Sequence, residues 1–419
     1  MKVLFVLECA NKITNGTGAT CLRFAKQLQQ RGYEITFIGH DFDDPKDKPE
    51  GYTALPHYNF PVFQGLIEKE GFNFVKCDDE KMYKAIKDVD LVHVFLPFKL
   101  ENKARIMAQA LNIPVTSAFH LQPQNITSAI HIGKIRLIND ILYYSFKKYM
   151  FNYTRHVHCP SQMIANQLAE HNYKRNKCHV ISNGVNDYFH PINVSKPEEI
   201  KDKIIVTMSG RLASEKRQDL IVKAVACSKY KDRIKILLCG QGPNRNRYIK
   251  LAEKKAVDME IKFCDQEELR NILNYSDIYV HASDFEIEGI SAIEAFACGA
   301  VPVISDSKLS ATNNFSLSRK CIFKHGSYKS LRDHIDYFIE HPDKCKELSE
   351  RYINNSSRFY LPKMVDMFEE MLKEAIEDHE TEKDLPTVLP RKKDRRKARA
   401  IFKRLKKKGV IDELPEKIR

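Results

Sequence analysis

The chain has 419 residues, of which 43% are hydrophobic and 29% charged, and its net charge is +13. This length predicts two globular domains, and this composition excludes an intrinsically disordered chain. The hydrophobic runs are too short to span a bilayer or to form a signal peptide, so we expect a cytoplasmic protein. The eleven cysteines stand singly, without a C-x-x-C pair, which predicts free thiols rather than disulfides or structural zinc.

Short hydrophobic runs alternate with helical patterns in the first half of the chain. A helix is predicted over residues 19–31, between the first two runs, and Gly32 ends it. Strands separated by helices pair in parallel, with helices on both faces of the sheet. The predicted strands of this half are residues 2–7, 34–38, 91–95, 114–119, 156–159 and 179–181.

The same alternation begins again after a loop at residues 183–196. Its predicted strands are residues 204–208, 234–239, 261–264, 278–281 and 301–304. The sequence therefore predicts an α/β protein with two doubly wound, Rossmann-like domains, residues 1–188 and 189–360, which face each other across a cleft. A helix over residues 361–377 returns to the first domain, and residues 378–419 form a linker and a basic tail.

The positive charge is concentrated in this tail. Residues 391–419 contain 14 lysines and arginines against 4 aspartates and glutamates, so they carry +10 of the total charge. Ala398, Ile401, Phe402 and Leu405 recur among these charges at helical spacing. Such a basic amphipathic helix can bind an anionic membrane through residues 391–408, and a disordered solubilising tail is the alternative. We expect no nucleic-acid binding, because a single Phe provides little base stacking.

A glycine-containing loop follows the first strand. Gly16-Thr17-Gly18 precedes the first predicted helix, where backbone N–H groups can bind an anion. A dinucleotide-binding fingerprint needs Gly or Ala at position 21, and this chain has Cys21, which disfavours an NAD enzyme. An ordinary tight turn is the alternative interpretation.

Two cations follow the first strand of the second half. Arg211 and Lys216 lie in the segment Ser209-Gly210-Arg211-Leu212-Ala213-Ser214-Glu215-Lys216, at the carboxyl end of that strand. A guanidinium fork and an ammonium group at this position can hold a diphosphate. Solvated surface charges are the alternative.

Two carboxylates surround a predicted bend at Gly289. Glu286 precedes a helix that is predicted to start near Ser291 and to end at Gly299, and Glu294 lies in its first turn. The free N–H groups and the dipole of this helix end would point towards the cleft, where both carboxylates can accept hydrogen bonds from sugar hydroxyls. Glu286 can also be a solvated loop carboxylate, and Ser291-x-x-Glu294 also matches a capping box.

The segment from Glu286 to Ile304 resembles the signature of the family 4 retaining glycosyltransferases, which have the GT-B fold. It reads Glu-x-x-Gly-x4-Glu-Ala-x-Ala-x-Gly-x-x-Pro-Val-Ile, with Glu288 where the family usually has Phe, a departure that affects the donor-sugar pocket. Further motifs occur in the family's order over residues 1–377. They are Gly16-Thr17-Gly18, His120 after a strand, Pro160-Ser161, Asn183-Gly184-Val185, Gly210-Arg211 with Lys216, and Gly240-x-Gly242.

The resemblance implies a role for each candidate site residue. His120 and Glu286 would contact the donor sugar, and Arg211 and Lys216 would stabilise the leaving diphosphate. These four are the catalytic candidates. The candidates for donor binding, with Glu294 on the ribose, are Gly16, Gly18, Gly210, Gly242, Gly289, Ile290, Ser291 and Glu294.

The resemblance also implies a reaction. The enzyme would move a hexose from a nucleotide sugar, UDP-linked, with retention of configuration and without a cofactor. The cation pair would replace a divalent metal, so we interpret Asp41-Phe42-Asp43 and Asp88-Val89-Asp90 as solvated loop charges and predict no metal site. Because the matched motifs offer no obvious carboxylate nucleophile, we favour a front-face substitution.

Residues 119–125 and 126–153 resemble the acceptor side of bacterial enzymes similar to diacylglycerol glucosyltransferases. We therefore expect a membrane-associated acceptor, such as diacylglycerol or another glycolipid, and a protein peripheral at the inner face of the plasma membrane. One alternative is a glycosyltransferase for a soluble exopolysaccharide, wall polymer or protein glycan. Another is a non-catalytic GT-B scaffold, against which the intact Arg211, Lys216 and both glutamates argue.

Overall fold

The computed structural model describes residues 1–9, 16–59, 65, 73–129, 132–133, 135–381 and 392–419. It divides into two compact units. Unit 1 comprises Met1–Ile181 and Met364–Arg419, and unit 2 comprises Ser182–Lys363. The unit boundary thus lies seven residues before the predicted domain boundary at residue 188, and the C-terminal residues belong to unit 1.

Unit 1 is built on a sheet of seven parallel strands in the order β3-β2-β1-β4-β5-β6-β7. Its strands are β1 Lys2–Val6, β2 Glu34–His40, β3 Tyr52–Leu55, β4 Leu91–Val94, β5 Val115–Ala118, β6 His156–Cys159 and β7 Lys177–Val180. Its first helices are α1 Gly16–Gln30, α2 Asp79–Ile86, α3 Lys99–Ala110, α4 Pro123–Ala129, α5 Arg136–Tyr149 and α6 Gln162–Glu170. The central strand β1 is fully buried from Val3 to Val6, as expected for a sheet covered on both faces.

Unit 2 contains a sheet of six parallel strands in the order β10-β9-β8-β11-β12-β13. Its strands are β8 Ile204–Ser209, β9 Ile234–Cys239, β10 Met259–Lys262, β11 Ile278–His281, β12 Val301–Ser305 and β13 Ile322–Phe323. Its helices are α7 Gln218–Ala226, α8 Arg245–Lys255, α9 Gln266–Tyr275, α10 Ile290–Ala297, α11 Tyr328–Glu340 and α12 Pro342–Ser356. The predicted α/β architecture of two doubly wound parallel sheets is confirmed.

Two C-terminal helices complete unit 1: α13 Leu361–Thr381, which begins at the unit boundary, and α14 Lys392–Lys407. The ring of Phe368 on α13 lies against the rings of Phe5, Phe24 and His158, with centroids 5.0–6.2 Å apart. The helix α13 therefore packs on the first half of the chain, to which it was predicted to return. Residues 382–391, which we interpreted as part of the linker and the tail, lie outside the described residues.

The interpretation of the tail as a membrane-binding helix is wrong for its hydrophobic face. The helix α14 packs on α2 and α3. Its stripe of Ala398, Ile401, Phe402 and Leu405 is at most 5% exposed. The stripe needed a hydrophobic surface, as the sequence suggested, but unit 1 itself provides it.

A buried ion pair fixes the beginning of α14. Arg105 on α3 and Asp394 on α14 lie 3.1 Å apart, and both side chains are 0% exposed. Arg105 also donates to the side chains of Asn102 and Gln109. Breaking such a pair leaves an uncompensated buried charge, so α14 is an integral part of unit 1.

The remaining sequence expectations concern cysteines and membrane spans. All eleven cysteines are free thiols, as their spacing predicted. Within the described ranges, we find no helix with both the length and the hydropathy that crossing a membrane requires.

Candidate functional site

The loops after β8 and β9 in unit 2 pack backbone against backbone. A Cβ atom on Gly240 would lie 2.1 Å from the carbonyl oxygen of Gly210, and one on Gly242 would lie 2.6 Å from the backbone nitrogen of Leu212. Only glycine allows these approaches. Gly240 and the predicted donor-binding Gly242 therefore have a structural function here, which is to hold the loop that carries Arg211.

Lys216 ends a short 3-10 turn in this loop, and its neighbour Arg217 has a left-handed φ of +56°. This conformation is uncommon for a residue other than glycine. The energetic cost of this conformation is offset by two ion pairs of the Arg217 guanidinium, each 3.1 Å long, one to Asp219 and one to Asp284. The backbone N–H of Asp284 also donates to the carbonyl of Glu215 at 2.7 Å. These contacts join the loops after β8 and β11 and thereby position Lys216.

Glu286 lies opposite Lys216 in the loop after β11. Its backbone N–H donates to the carbonyl of Leu309 at 3.1 Å, and its carbonyl accepts from the N–H of Ala311 at 2.9 Å. Its side chain forms an ion pair with Lys216, and its Oε2 lies 3.5 Å from Nε2 of His281. The carboxylate is thus fixed by its backbone and by two basic side chains.

The charges around Glu286 determine its protonation. Burial by itself raises the pKa of Glu286, but Lys216 and His281 outweigh burial and lower the pKa to about 2. Burial lowers the pKa of His281, against the opposing effect of Glu286. At neutral pH the site therefore holds an ionised carboxylate that can only accept hydrogen bonds.

Arg211, the second predicted cation, is one-third exposed and pairs with Glu215 at 2.8 Å. The structure therefore places Arg211 and Lys216 in one loop, each beside a carboxylate. The Arg211 pair is partly exposed and costs little to rearrange, so Arg211 can turn to an anionic ligand. The side chains of Lys216 and Glu286 are only 19% and 17% exposed, so Lys216 can turn to an anionic ligand when the charge of that ligand replaces the carboxylate.

Gly289 caps the helix α10 and explains the bend in the signature. Its φ is +94°, and a Cβ atom there would lie 2.2 Å from Cγ2 of Thr312. The helix begins at Ile290, so Ser291 is its second residue and no side chain caps it. The helix start predicted near Ser291 is confirmed to within one residue, whereas the alternative interpretation of Ser291-x-x-Glu294 as a capping box is wrong, because the cap is Gly289.

Ser291 instead contacts a buried tyrosine. The hydroxyls of Ser291 and Ser209 hydrogen-bond the phenol of Tyr279, whose pKa is raised by burial to about 12. The half-buried Glu294 lies one turn further along α10. These contacts fix the first turn of α10, whose free N–H groups can meet an anion.

Glu288 occupies the position at which we expected an altered donor-sugar pocket. Its side chain is 1% exposed, and its Oε2 accepts a hydrogen bond of 3.0 Å from the backbone N–H of Asn183. In the same motif, a Cβ atom on Gly184 would lie 2.9 Å from Cδ1 of Leu361. Glu288 is therefore turned inwards, where it holds the Asn183-Gly184-Val185 segment.

The other predicted site residues lie in unit 1. Gly16 is exposed at the start of α1 and Gly18 is buried in its first turn, so both belong to the helix rather than to a loop before it. His120 follows β5 and is 4% exposed, with its ring 4.8 Å from that of His158. Burial and two neighbouring histidines, His158 and His93, hold its pKa well below the ordinary value. Within the described residues, neither ring nitrogen of His120 has a hydrogen-bond partner.

The predicted Asp-x-Asp triplets are also in unit 1. Asp41, Asp43, Asp88 and Asp90 are exposed. Asp41 pairs with Lys48 at 2.6 Å. This exposure agrees with our interpretation of them as loop charges.

Sequence reasoning did not select three residues that organise the site, namely Arg217, His281 and Asp284. His281 ends a strand five residues before Glu286, so its position at the carboxyl end of β11 was the signal available. Arg217 and Asp284 gave no signal, because their pairing joins positions 67 residues apart.

This combination of two doubly wound sheets and a cation–carboxylate site is typical of GT-B glycosyltransferases. Residues 14–188 match the model of Glycosyltransferase Family 4, and residues 191–358 match that of Glycosyl transferases group 1. The chain belongs to family 4 of the glycosyltransferases, and it has the GT-B fold.

Three known proteins illustrate the relationship. The alpha-monoglucosyldiacylglycerol synthase of Streptococcus pneumoniae is 24% identical, over 83% of this chain and 82% of its own. The crystal structure of HepE from Anabaena with UDP and glucose has a TM-score of 0.66 and 15% identity, over 89% of this chain and 100% of its own. The catalytic domain of cholesterol-alpha-glucosyltransferase from Helicobacter pylori is 37% identical over 37% of this chain and 98% of its own, with a TM-score of 0.37.

Proposed function

We propose that this glycosyltransferase moves a hexose from a UDP-linked sugar to the hydroxyl group of a membrane lipid, with retention of configuration and without a catalytic metal ion. The ion pair between Lys216 and Glu286 carries the proposal. It places an ammonium group, which suits a diphosphate, beside an ionised carboxylate, which suits sugar hydroxyls.

In the donor complex that we propose, Glu286 and Glu294 bind hydroxyls. Glu286 enters the complex as an ionised carboxylate, with its pKa lowered to about 2 by Lys216 and His281 in the structure, and it accepts hydrogen bonds from the sugar. Glu294 takes the ribose of the nucleotide. Arg211 and Lys216 turn to the diphosphate, and the N–H groups of Ile290 and Ser291 in the first turn of α10 add hydrogen bonds to it.

The proposed reaction is a front-face substitution. The bond between C1 of the sugar and the phosphate oxygen breaks, and a bond between C1 and the acceptor oxygen forms on the same face. The acceptor proton moves to the departing phosphate oxygen. Arg211 and Lys216 stabilise the charge that develops on the diphosphate, which is the contribution a divalent ion makes in other enzymes. In this proposal Glu286 accepts hydrogen bonds from the sugar and is not the nucleophile.

We assign to His120 a contact with the donor sugar. It is buried and uncharged, and both of its ring nitrogens are without a partner in the described part of unit 1. An unsatisfied buried polar group is costly, and a hydroxyl group of a ligand would satisfy it.

A lipid acceptor is supported by the exposed side chains of α5. Leu137, Ile141 and Tyr144 share one face of this helix and are 70%, 57% and 62% exposed. Lys148 is on the same face, with its ammonium 5.6 Å from the ring of Tyr144. Hydrophobic side chains next to cations are typical of surfaces that enter an anionic membrane. The helix belongs to the segment in which we predicted the acceptor side.

The names of the related proteins support a choice of sugar and lipid. The pneumococcal relative is named for an α-linked glucose on diacylglycerol. HepE was crystallised with UDP and glucose. We therefore take UDP-glucose as the donor and a lipid with a single hydroxyl group as the acceptor.

The test is a matrix of donors and acceptors. Purified protein is incubated with UDP-glucose, UDP-galactose, UDP-N-acetylglucosamine or GDP-mannose, and with vesicles that contain diacylglycerol or cholesterol. Soluble glycans and peptides form a second set of acceptors. We expect UDP release and a hexosyl lipid whose anomeric proton shows the α configuration by NMR. A β-linked product would overturn retention, and transfer only to soluble acceptors would favour the alternative function.

A separate experiment tests whether the reaction requires a metal ion. We expect turnover to persist in excess EDTA, because the cations of the proposed mechanism are Arg211 and Lys216. Complete loss of turnover that Mg²⁺ or Mn²⁺ restores would overturn this part of the proposal.

A further inference from the structure

A second group of polar side chains lies in unit 1, on β6, β7 and α13. We infer that His156, His179 and Glu374 form a binding site for a zinc ion, which no part of the proposed transfer reaction uses. Within the described residues, these are the three His, Cys, Asp or Glu side chains whose ligand atoms all lie within 4.8 Å of one another.

The fold brings these three residues to one face of the sheet. β6 and β7 are parallel neighbours, with His158 opposite His179 in the register. Because alternate residues of a strand share a face, His156 lies on the same side as His158 and therefore as His179. The helix α13 covers this face, and its Glu374 and Asp378 are one turn apart.

The distances suit a first-row transition metal. Nδ1 of His156 lies 3.0 Å from Nε2 of His179, which lies 3.8 Å from Oε2 of Glu374. Zinc bonds of about 2.0–2.2 Å in tetrahedral geometry put neighbouring ligand atoms about 3.3 Å apart. The observed distances lie on both sides of this value, so small rotations of the side chains would bring the three ligand atoms to the spacing that a zinc ion requires. Glu374 is one-third exposed, which leaves a fourth position open to water.

The group has the outer hydrogen bonds that metal-binding histidines usually have. Nε2 of His156 lies 3.0 Å from Oδ2 of Asp378, and Nε of Arg155 lies 3.2 Å from the same oxygen. A carboxylate on the far ring nitrogen fixes the tautomer and aims the near nitrogen at the metal. Asp378 is therefore a positioning residue, and it directs Nδ1 of His156 towards His179.

A basic side chain also lies against this group. Lys177 pairs with Glu374 as well, which holds the carboxylate in place and, as a like charge, limits the affinity for a cation.

The donor set selects the metal. Two imidazoles and one carboxylate suit Zn²⁺, whereas Mg²⁺ and Ca²⁺ prefer oxygen ligands alone. Bound zinc would connect two strands with α13 and thus stabilise the attachment of this helix to unit 1. The site is independent of the donor chemistry, so its failure would leave the proposed function standing.

The experiment uses the full chain without an affinity tag, treated with EDTA and then dialysed. Zinc binding is measured by calorimetry, and the melting temperature is recorded with Zn²⁺ and with Mg²⁺. We expect one zinc ion per chain from this site and a rise in melting temperature with Zn²⁺ alone. His179→Gln and Glu374→Gln should each weaken binding at least about tenfold, and Asp378→Asn by about tenfold, the effect usual for an outer-shell partner.

His171→Gln is the matched control, because this half-buried histidine of unit 1 lies outside the group and pairs with Asp140. It should bind zinc as the wild type does. Circular dichroism verifies that each variant is folded before binding is measured. The inference is overturned if the wild type binds no zinc, or if His179→Gln and Glu374→Gln bind it with unchanged affinity, which would assign the binding to other groups such as the free thiols.

Discussion

The carboxylate of Glu288 accepts a hydrogen bond from the backbone N–H of Asn183, at a distance of 3.0 Å and between residues 105 positions apart in the chain. This bond joins the family signature to the Asn183-Gly184-Val185 motif inside unit 2. It explains why a charged residue is tolerated where the family usually has Phe. The carboxylate is buried, but it holds a backbone donor that would otherwise be unsatisfied.

Replacing Glu288 should therefore affect stability according to whether an acceptor remains. Glu288→Gln keeps an acceptor oxygen for the N–H of Asn183, whereas Glu288→Phe leaves this N–H buried and unpaired, at a cost of about 1–3 kcal/mol. We expect the Phe variant to unfold at lower urea concentration than the Gln variant. A Phe variant as stable as the Gln variant would show that the hydrogen bond contributes little.

The C-terminal helix should stabilise unit 1. Phe402 is 0% exposed and lies against Tyr83 on α2, with ring centroids 6.1 Å apart. Phe402→Ala should lower the free energy of unfolding by about 3–5 kcal/mol, the usual range for a buried Phe. The exposed neighbour Lys403 provides the control, since Lys403→Ala should stay within about 0.5 kcal/mol of the wild type. Equal urea midpoints for both variants would mean that α14 does not contribute to the folded core.

Membrane binding, if it follows the proposed function, should depend on α5. A double variant, Leu137→Ser with Ile141→Ser, removes hydrophobic side chains that are each worth about 1.5–3 kcal/mol when buried in a membrane. We expect the wild type to sediment with phosphatidylglycerol vesicles, and the double variant to lose at least about tenfold in affinity.

Phe263→Ser is the control for this experiment, because Phe263 is also exposed, at 60%, but lies in unit 2. Binding should weaken as salt rises, since screening reduces the attraction of the basic residues. Unchanged sedimentation of the double variant would exclude α5 as the contact. Loss of binding only on charge reversal along the exposed basic face of α14 would assign the contact to that face.

Two buried carboxyl groups should make the stability depend on pH. Glu8 is 2% and Glu101 0% exposed, and the backbone N–H of Glu8 donates to Oε1 of Glu101 at 3.3 Å. Burial raises the pKa of Glu8 from 4.5 to about 8. Between these two values the folded chain binds more protons than the unfolded chain, so the free energy of unfolding falls as the pH rises.

The side chain of the variant Glu8→Gln cannot ionise, so its free energy of unfolding should decrease less between pH 5 and pH 8 than that of the wild type. Urea unfolding at these two pH values measures the decrease, and Glu34→Gln, which changes an exposed residue, is the control. We expect the difference between the two pH values to shrink in Glu8→Gln and to stay unchanged in Glu34→Gln. The same difference in both variants and in the wild type would mean that Glu8 does not cause the pH dependence.

The sequence revealed the buried parts of the fold because hydrophobic runs mark buried parallel strands. Both strands that it missed lie at sheet edges: β3, Tyr52–Leu55, and the two-residue β13, Ile322–Phe323. Short edge strands bury little and leave a weak hydrophobic pattern. The stripe of α14 was visible in the sequence, but a stripe shows only that a surface covers it and not which surface does.

The candidate site was predictable in its charged residues and not in its supports. Lys216 and Glu286 each stand in a motif, and the structure brings them together. Arg217 and Asp284 join two loops through a contact that only the folded chain creates. The capping box failed for a local reason, since the sequence Ser291-x-x-Glu294 begins two residues after Gly289, the actual cap.

The most direct test of the central claim is the turnover of Lys216→Ala with UDP-glucose and a lipid acceptor. We predict that kcat falls by about 10²–10³, the effect of removing one preorganised charge contact from a transition state. Lys216→Ala should lower the melting temperature, because the buried carboxylate of Glu286 loses its paired ammonium, so circular dichroism verifies that the variant is folded before turnover is measured. Lys229→Ala, which removes an exposed lysine paired with Glu340, should keep full activity. Near-normal turnover in a folded Lys216→Ala variant would contradict the assignment of this ion pair to the donor diphosphate.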